Sequence, residues 1–242
     1  MYTHIQVYDG FGAQYQKIIQ TYIYCKMNNM NYVYRPFTKI EHNYENDINY
    51  NEKLELLINL RENIENDYEL KAKELDYGLI VCKFFEDNME KCCKSEHMKF
   101  IKKCFWENKD RNFFKNNKIN ISIHIRRENS HDLGRAGNRI TTPNTYYLNI
   151  INKIRSENKS KELLFHIYSQ GNINQFIEFQ SDDTIFHIDE NVYDTFLGLV
   201  SADILVTSPS SLSYVAGLIS DGKVYYKSFW HSPREDWIIY YK

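Results

Sequence analysis

Hydrophobic and polar positions alternate most strictly over residues 119–127, I-N-I-S-I-H-I-R-R. That alternation predicts a β-branched strand ending in a histidine and two arginines. Apolar runs at 163–168, 184–188, 203–206 and 223–226 predict further strands, with 223–226 the last of them. Between them lie helical patterns. One starts at Thr142-Pro143 and carries Tyr146, Tyr147, Ile150, Ile151 and Ile154; others cover 173–179, 192–200 and 210–220. The first half is less regular. A short strand is expected over 3–7, then the turn Asp9-Gly10-Phe11-Gly12-Ala13, a helix from Gln14 to about Met27, and a second strand at 32–34. Residues 41–73 are polar with a helical pattern through Leu54, Leu57, Ile58 and Ile64, and 79–115 read as continuing helix. Asn116-Asn117 is the best mid-chain turn signal and sets a domain boundary there. The expected domains are an N-terminal lobe, 1–117, a C-terminal lobe, 118–228, and a short closing segment, 229–242.

Strands alternating with helices call for an α/β fold with a parallel sheet covered on both faces. The first half reads as a reduced, helix-rich version of the same plan. The 242 residues allow one large domain or two small ones, and 43% hydrophobic content is ample for packed cores. A net charge of −2 exerts no general pull on nucleic acid or anionic membrane, so any basic site must be local. Twenty Tyr against 9 Gly and 4 Pro reads as genomic bias rather than function. Five Cys without a C-x-x-C pair or zinc spacing point to free thiols in a reducing compartment. With no signal-peptide pattern and no apolar run of spanning length, a soluble, cytoplasmic protein is expected. Oligomeric state is not legible.

Six places carry candidate chemistry. His124, Arg126 and Arg127 close the 119–125 strand. Alternation sends the two guanidiniums to opposite faces, at the strand end where α/β sheets bind ligands, an arrangement suited to a diphosphate. Gly10-Phe11-Gly12 sits between strand and helix, either an ordinary turn or a close backbone approach to an anion. Ser208-Pro209-Ser210-Ser211 opens a helix after the 203–206 strand, where capping and phosphate binding are compatible. Asp203, at the start of that strand, is either a surface carboxylate or an acceptor for the N–H edge of guanine. The loop 128–142 holds Glu128 and Asp132, candidates for a general base. No Walker P-loop, nucleophile elbow or clustered metal site is present in the sequence, so no metal is expected. Phe229-Trp230-His231 reads as terminal packing or as a sugar-stacking wall.

Taken in order, these elements resemble the fucosyltransferase superfamily with the H-x-R-R-x-D motif, which includes the α-1,2- and α-1,6-fucosyltransferases and the protein O-fucosyltransferases. Gly10-Phe11-Gly12-Ala13-Gln14 is similar to its G-L-G-N-Q opening, His124-Ile125-Arg126-Arg127 matches its central motif, and Ser201-Ala202-Asp203 with 208–215 resembles its serine-containing motif. The resemblance implies a GT-B fold of two Rossmann-like lobes. It also implies inverting, metal-independent transfer of fucose from GDP-fucose to a glycan hydroxyl, with no cofactor required. Arg126 would clamp the diphosphate with Ser210 and Ser211, Asp203 and the His124 region would hold guanine, and Gly10–Gly12 would approach the phosphates. Two departures stand out. Glu128-Asn129 follows the arginines where Gly-Asp is common, and Ser169-Gln170-Gly171 stands where relatives carry S-D-D or T-D-D. They leave two alternatives open, a catalytically degenerate nucleotide- or glycan-binding protein and a transferase using another nucleotide sugar.

Overall fold

The computed structural model describes residues 1–64, 71–127 and 141–240. The chain forms two compact units, Met1–Arg111 and Asn112–Lys242. The division therefore falls slightly before Asn116-Asn117, and residues 229–242 belong to the second unit.

The first unit is built on helices. β1 (Tyr2–Thr3) pairs in parallel with β2 (Lys73–Glu74), the unit's one two-stranded sheet among the described residues. The expected strand at 32–34 is reduced to a bridge between Tyr32 and Tyr2. α1 (Phe11–Met27) buries Tyr15, Ile18, Ile19 and Ile23, and α2 (Tyr50–Ile58) buries Leu54, Leu57 and Ile58. Glu55 on α2 is also buried, because it is a staple. Its carboxylate accepts from Tyr34 Oη at 2.7 Å and from Phe37 N–H at 2.6 Å, fixing the segment that follows β1. The continuous helix expected over 79–115 is broken. A π-helical turn, Tyr77–Cys82, leads to α3 (Lys83–Asp87), α4 (Met89–Lys94) and α5 (Glu96–Trp106). Ser95 explains the last break: its backbone is extended and its hydroxyl caps α5 by accepting from Met98 N–H.

The second unit is a six-stranded, all-parallel sheet. β3 (Ile119–Ile125), α6 (Asn144–Glu157), β4 (Leu163–Ser169), a 3₁₀ helix (Ile173–Phe179) and β5 (Thr184–Ile188) run outward in sequence. α7 (Val192–Val200) then returns the chain to the far side of β3. There β6 (Ile204–Val206), α8 (Ser211–Ile219), β7 (Lys223–Tyr226) and β8 (Ile238–Ile239) complete the order β5-β4-β3-β6-β7-β8. The sequence reading missed β8, whose two residues carry no periodic signal of their own. Chain direction across the sheet reverses between β3 and β6, and the carboxyl ends of such a pair form the crevice where open α/β sheets take ligands.

The strict alternation of β3 gives the sheet two unlike faces. Ile121, Ile123 and Ile125 pack with Phe165, Ile167 and the Tyr147, Ile150 and Ile154 side of α6. The opposite face is polar yet buried. Ser122 Oγ donates to the Gly198 carbonyl of α7 at 2.7 Å, His166 is hydrogen-bonded to His187 at 3.0 Å and to Asn120 at 3.2 Å, and Tyr168 stacks on His187 at 4.3 Å. Ser122, His166 and Asn120 there each find a partner in a neighbouring strand or helix, which is what makes their burial tolerable. Close approach of α7 to this face requires Gly198, where a β-carbon would lie 2.0 Å from Tyr168 Oη. Gly198→Ala is therefore expected to cost about 1–3 kcal/mol or more by overpacking. A urea midpoint unchanged from the parent would show that α7 and Tyr168 can separate freely.

Candidate functional site

The carboxyl ends of β3 and β6 bring two sequence motifs into one hydrogen bond. His124, the next-to-last residue of β3, meets Ser208, just past β6, with Nδ1 and Oγ 2.8 Å apart. Both residues are buried, at 7% and 1% exposure. Burial, reinforced by the positive charge of Arg126, pulls the His124 imidazole down to about 3. It is therefore neutral at physiological pH and adds no charge to the cation beside it. Arg126, two residues further on, is half-buried.

α8 begins at this crevice. Ser210 caps it, its hydroxyl accepting from Leu212 N–H at 3.3 Å, while Ser211 is the first helical residue; both are partly exposed. The first-turn N–H groups of a helix lack intrahelical partners and carry partial positive charge, so this end attracts an anion. Ser213, which the sequence reading did not single out, holds the loop in shape. Its buried hydroxyl accepts from Ser208 N–H at 3.2 Å and lies 3.2 Å from the Ser208 carbonyl. The signal was present as a hydroxyl one helical turn after the cap, on the apolar side of α8, where a serine otherwise has no reason to be.

Several expected site residues have other duties. Arg127, two residues past the end of β3, is taken up locally. Its guanidinium donates to the Thr142 carbonyl at 3.2 Å and to Asn144 Oδ1, and lies 5.3 Å from the Phe176 ring. Asn144 in turn donates to the Gln175 carbonyl and Glu178, so Arg127 fastens the start of α6 to the 3₁₀ helix. Asp203 is at the wrong edge of the sheet. Its carboxylate accepts from Asn120 N–H at 2.8 Å near the amino ends of β3 and β6, roughly 16 Å of extended chain from Ser208. It closes the strand pair and does not share the crevice. Ser208 is present, but its hydroxyl is spent on His124 and is nearly inaccessible.

In the first unit, the glycine turn is the opening turn of α1 itself. Gly10 caps the helix with ordinary extended backbone, donates its N–H to Asp9 Oδ1, and faces the His42 ring, which a β-carbon would approach to 3.0 Å. Phe11 is 3% exposed, stacked on Tyr15 and edge-on to Phe37, so its ring is core rather than a ligand contact. Gly12 is buried too. Glu128 and Asp132, the candidate bases, lie outside the described residues.

The loop after β4 differs from the resemblance in an informative way. Ser169 Oγ donates to the Ile125 carbonyl at 2.7 Å, and Gly171 adopts a left-handed φ of 104°. Its N–H donates to Asp189 Oδ1 at 3.0 Å. A carboxylate from the end of β5 thus stands beside a loop that has none of its own, a pairing set by strand order and invisible to local sequence.

No protein-family model matches the chain, and neither does any curated protein. Among solved structures, the chain is similar to the crystal structure of the fucosyltransferase NodZ from Bradyrhizobium. The identity is 12% and the TM-score 0.47, over 90% of this chain and 92% of the other. It is also similar to a structure of the NodZ α-1,6-fucosyltransferase soaked with GDP-fucose. There the identity is 10% and the TM-score 0.43, with the same coverage. No helix among the described residues is long and apolar enough to cross a membrane.

Proposed function

We propose that the chain is a cytoplasmic, inverting, metal-independent glycosyltransferase of GT-B type that moves fucose from GDP-fucose to a glycan hydroxyl. The observation that carries this reading is the His124–Ser208 hydrogen bond. Two residues 84 positions apart join the H-x-R-R strand to the serine-rich helix start at the topological switch point of the sheet. A diphosphate seated there would meet the Arg126 guanidinium on one side and the α8 N-terminus with Ser210 and Ser211 on the other. In the transfer step the acceptor oxygen bonds to the sugar's anomeric carbon as the bond to the β-phosphate oxygen breaks. The bonding pair leaves with GDP, and a carboxylate takes the acceptor proton. Glu128 and Asp132 remain the candidates for that base. Charge grows on the departing phosphate, and a fixed cation and helix end stabilise it as the bond breaks. The reading rests on residues of the second unit alone.

A nucleotide-binding protein without turnover is the second reading, favoured by the carboxylate-free Ser169-Gln170-Gly171 loop. Thermal unfolding with GDP, UDP and dTDP tests the first requirement. At a GDP concentration about 100-fold above Kd, the midpoint should rise by roughly 5–10 °C, from about 2.7 kcal/mol of linkage. UDP and dTDP should do less. Equal or absent shifts would remove the GDP-sugar assignment, whereas a GDP shift without transfer to any arrayed glycan would favour the second reading.

A further inference from the structure

The chain leaving β7 forms an arch tied down on both sides. Lys227 N–H donates to Thr207 Oγ1 at 2.9 Å, Tyr226 Oη to the His231 carbonyl at 2.5 Å, and Tyr214 Oη to the Ser232 carbonyl at 3.3 Å. His231 also lies against the Tyr214 ring, 4.8 Å between centroids. At the crown of this arch stand Phe229 and Trp230, their rings 4.7 Å apart and tilted by 40°. Trp230 is 71% exposed, while the chain's other tryptophans, Trp106 and Trp237, are 9% and 7% exposed. A lone exposed indole is ordinary on a protein surface. Here the arch with pinned ends holds the Trp230 backbone in place, with the Phe229 ring against the indole.

Position gives it a use. β7 flanks β6 on the side away from β3, and Lys227 N–H is bonded to Thr207, so the arch starts beside the loop that leads into α8. Tyr214 is three residues into α8 from Ser211, about 4.5 Å of helix rise from the anion seat. We propose that Trp230, backed by Phe229, is a stacking platform for a pyranose ring presented beside the diphosphate. The apolar C–H face of a sugar covers an indole as other flat groups do, and the ring's hydroxyls stay at its rim. This rests on the nucleotide-sugar reading above for its location, not for its chemistry. The pyranose belongs either to the donor or to the acceptor.

The exposed indole is its own reporter, since acrylamide reaches Trp230 and not the two buried tryptophans. Wild-type protein and Trp230→Ala would be titrated with GDP, with GDP-fucose, and with N-acetyllactosamine and chitobiose in the presence and absence of GDP. Trp230→Phe identifies the signal, and an unchanged melting temperature shows that both variants fold. The expected result is protection of the accessible emission by a sugar-bearing ligand but not by GDP. Trp230→Ala should weaken that ligand about 10-fold and leave GDP binding within twofold. Protection by GDP-fucose alone assigns the donor sugar, and protection by a disaccharide assigns the acceptor. Protection by GDP itself would mean base stacking and overturn the proposal, as would no protection by any sugar. GDP binding without sugar protection sinks the platform and spares the transferase reading; disaccharide protection without GDP binding does the reverse.

Discussion

Arg126→Ala should lower the transfer rate by about 10²–10³-fold, which corresponds to about 2.7–4 kcal/mol lost from the transition state, the effect of removing one preorganised donor from a developing oxyanion. The loss should fall mainly on kcat, because charge on the leaving phosphate is greatest as the glycosidic bond breaks. Arg126→Lys should recover only part of it, since an ammonium supplies charge without the planar fork that meets two oxygens at once. The neighbouring arginine is the internal control. Arg127 is engaged with Thr142, Asn144 and Phe176, so Arg127→Ala should lower stability while leaving the turnover of folded protein within a few-fold. Steady-state transfer from GDP-fucose, with folded fraction checked by circular dichroism, separates the two. Undiminished turnover in Arg126→Ala would end the proposed mechanism.

The contrast between the adjacent arginines marks how far local sequence carries. The bounds of β3, β5, α7 and β7 follow from period and composition, because each element is long enough to show its pattern. I-N-I-S-I-H-I even encodes the two unlike faces. What alternation leaves out is which face is already occupied. Arg127 is consumed by Asn144 and Phe176, brought near by the β3–α6–β4 crossover, and nothing in residues 119–127 records it. Asp203 failed for a related reason. It lies close to Ser208 in sequence, but an extended strand between them puts the two at opposite edges of the sheet. Gly10-Phe11-Gly12 forms the opening of α1, where the pattern started the helix at Gln14, because a helix start and a loop before a helix use the same residues. Asp189 was missed since its role exists only once the loop it touches is folded. The meeting of His124 with Ser208 was not foreseen, since the resemblance pairs the His124 region with Asp203; the strand order, which makes β3 and β6 neighbours, brings it about.

Acid should unfold the second unit well before carboxylate titration is complete, with histidine protons setting the slope. His124 is held down to about 3 by burial and Arg126, and His166 to about 4 by burial and the His187 ring. In the unfolded chain both sit near about 6.5. The folded state thus binds fewer protons than the unfolded state between those values, and stability must rise with pH there. Equivalently, the contribution is complete above about pH 6.5 and is lost as pH falls toward 4. Each such proton is worth about 1.4 kcal/mol per pH unit within the window, so two give a limiting slope of roughly 2.7 kcal/mol per unit. Over two units that is comparable with the whole stability of a typical domain. Urea unfolding at pH 7.5, 6.5, 5.5 and 4.5 measures the slope directly. His124→Asn, which keeps an acceptor for Ser208, and His166→Gln should each remove about half of it; a slope unaltered in both would place the acid sensitivity elsewhere. Because the Arg126 charge helps to depress His124, Arg126→Ala should flatten the slope as well. A bound diphosphate, opposing the same charge, should act in the same direction and make GDP more protective at pH 5.5 than at pH 7.5.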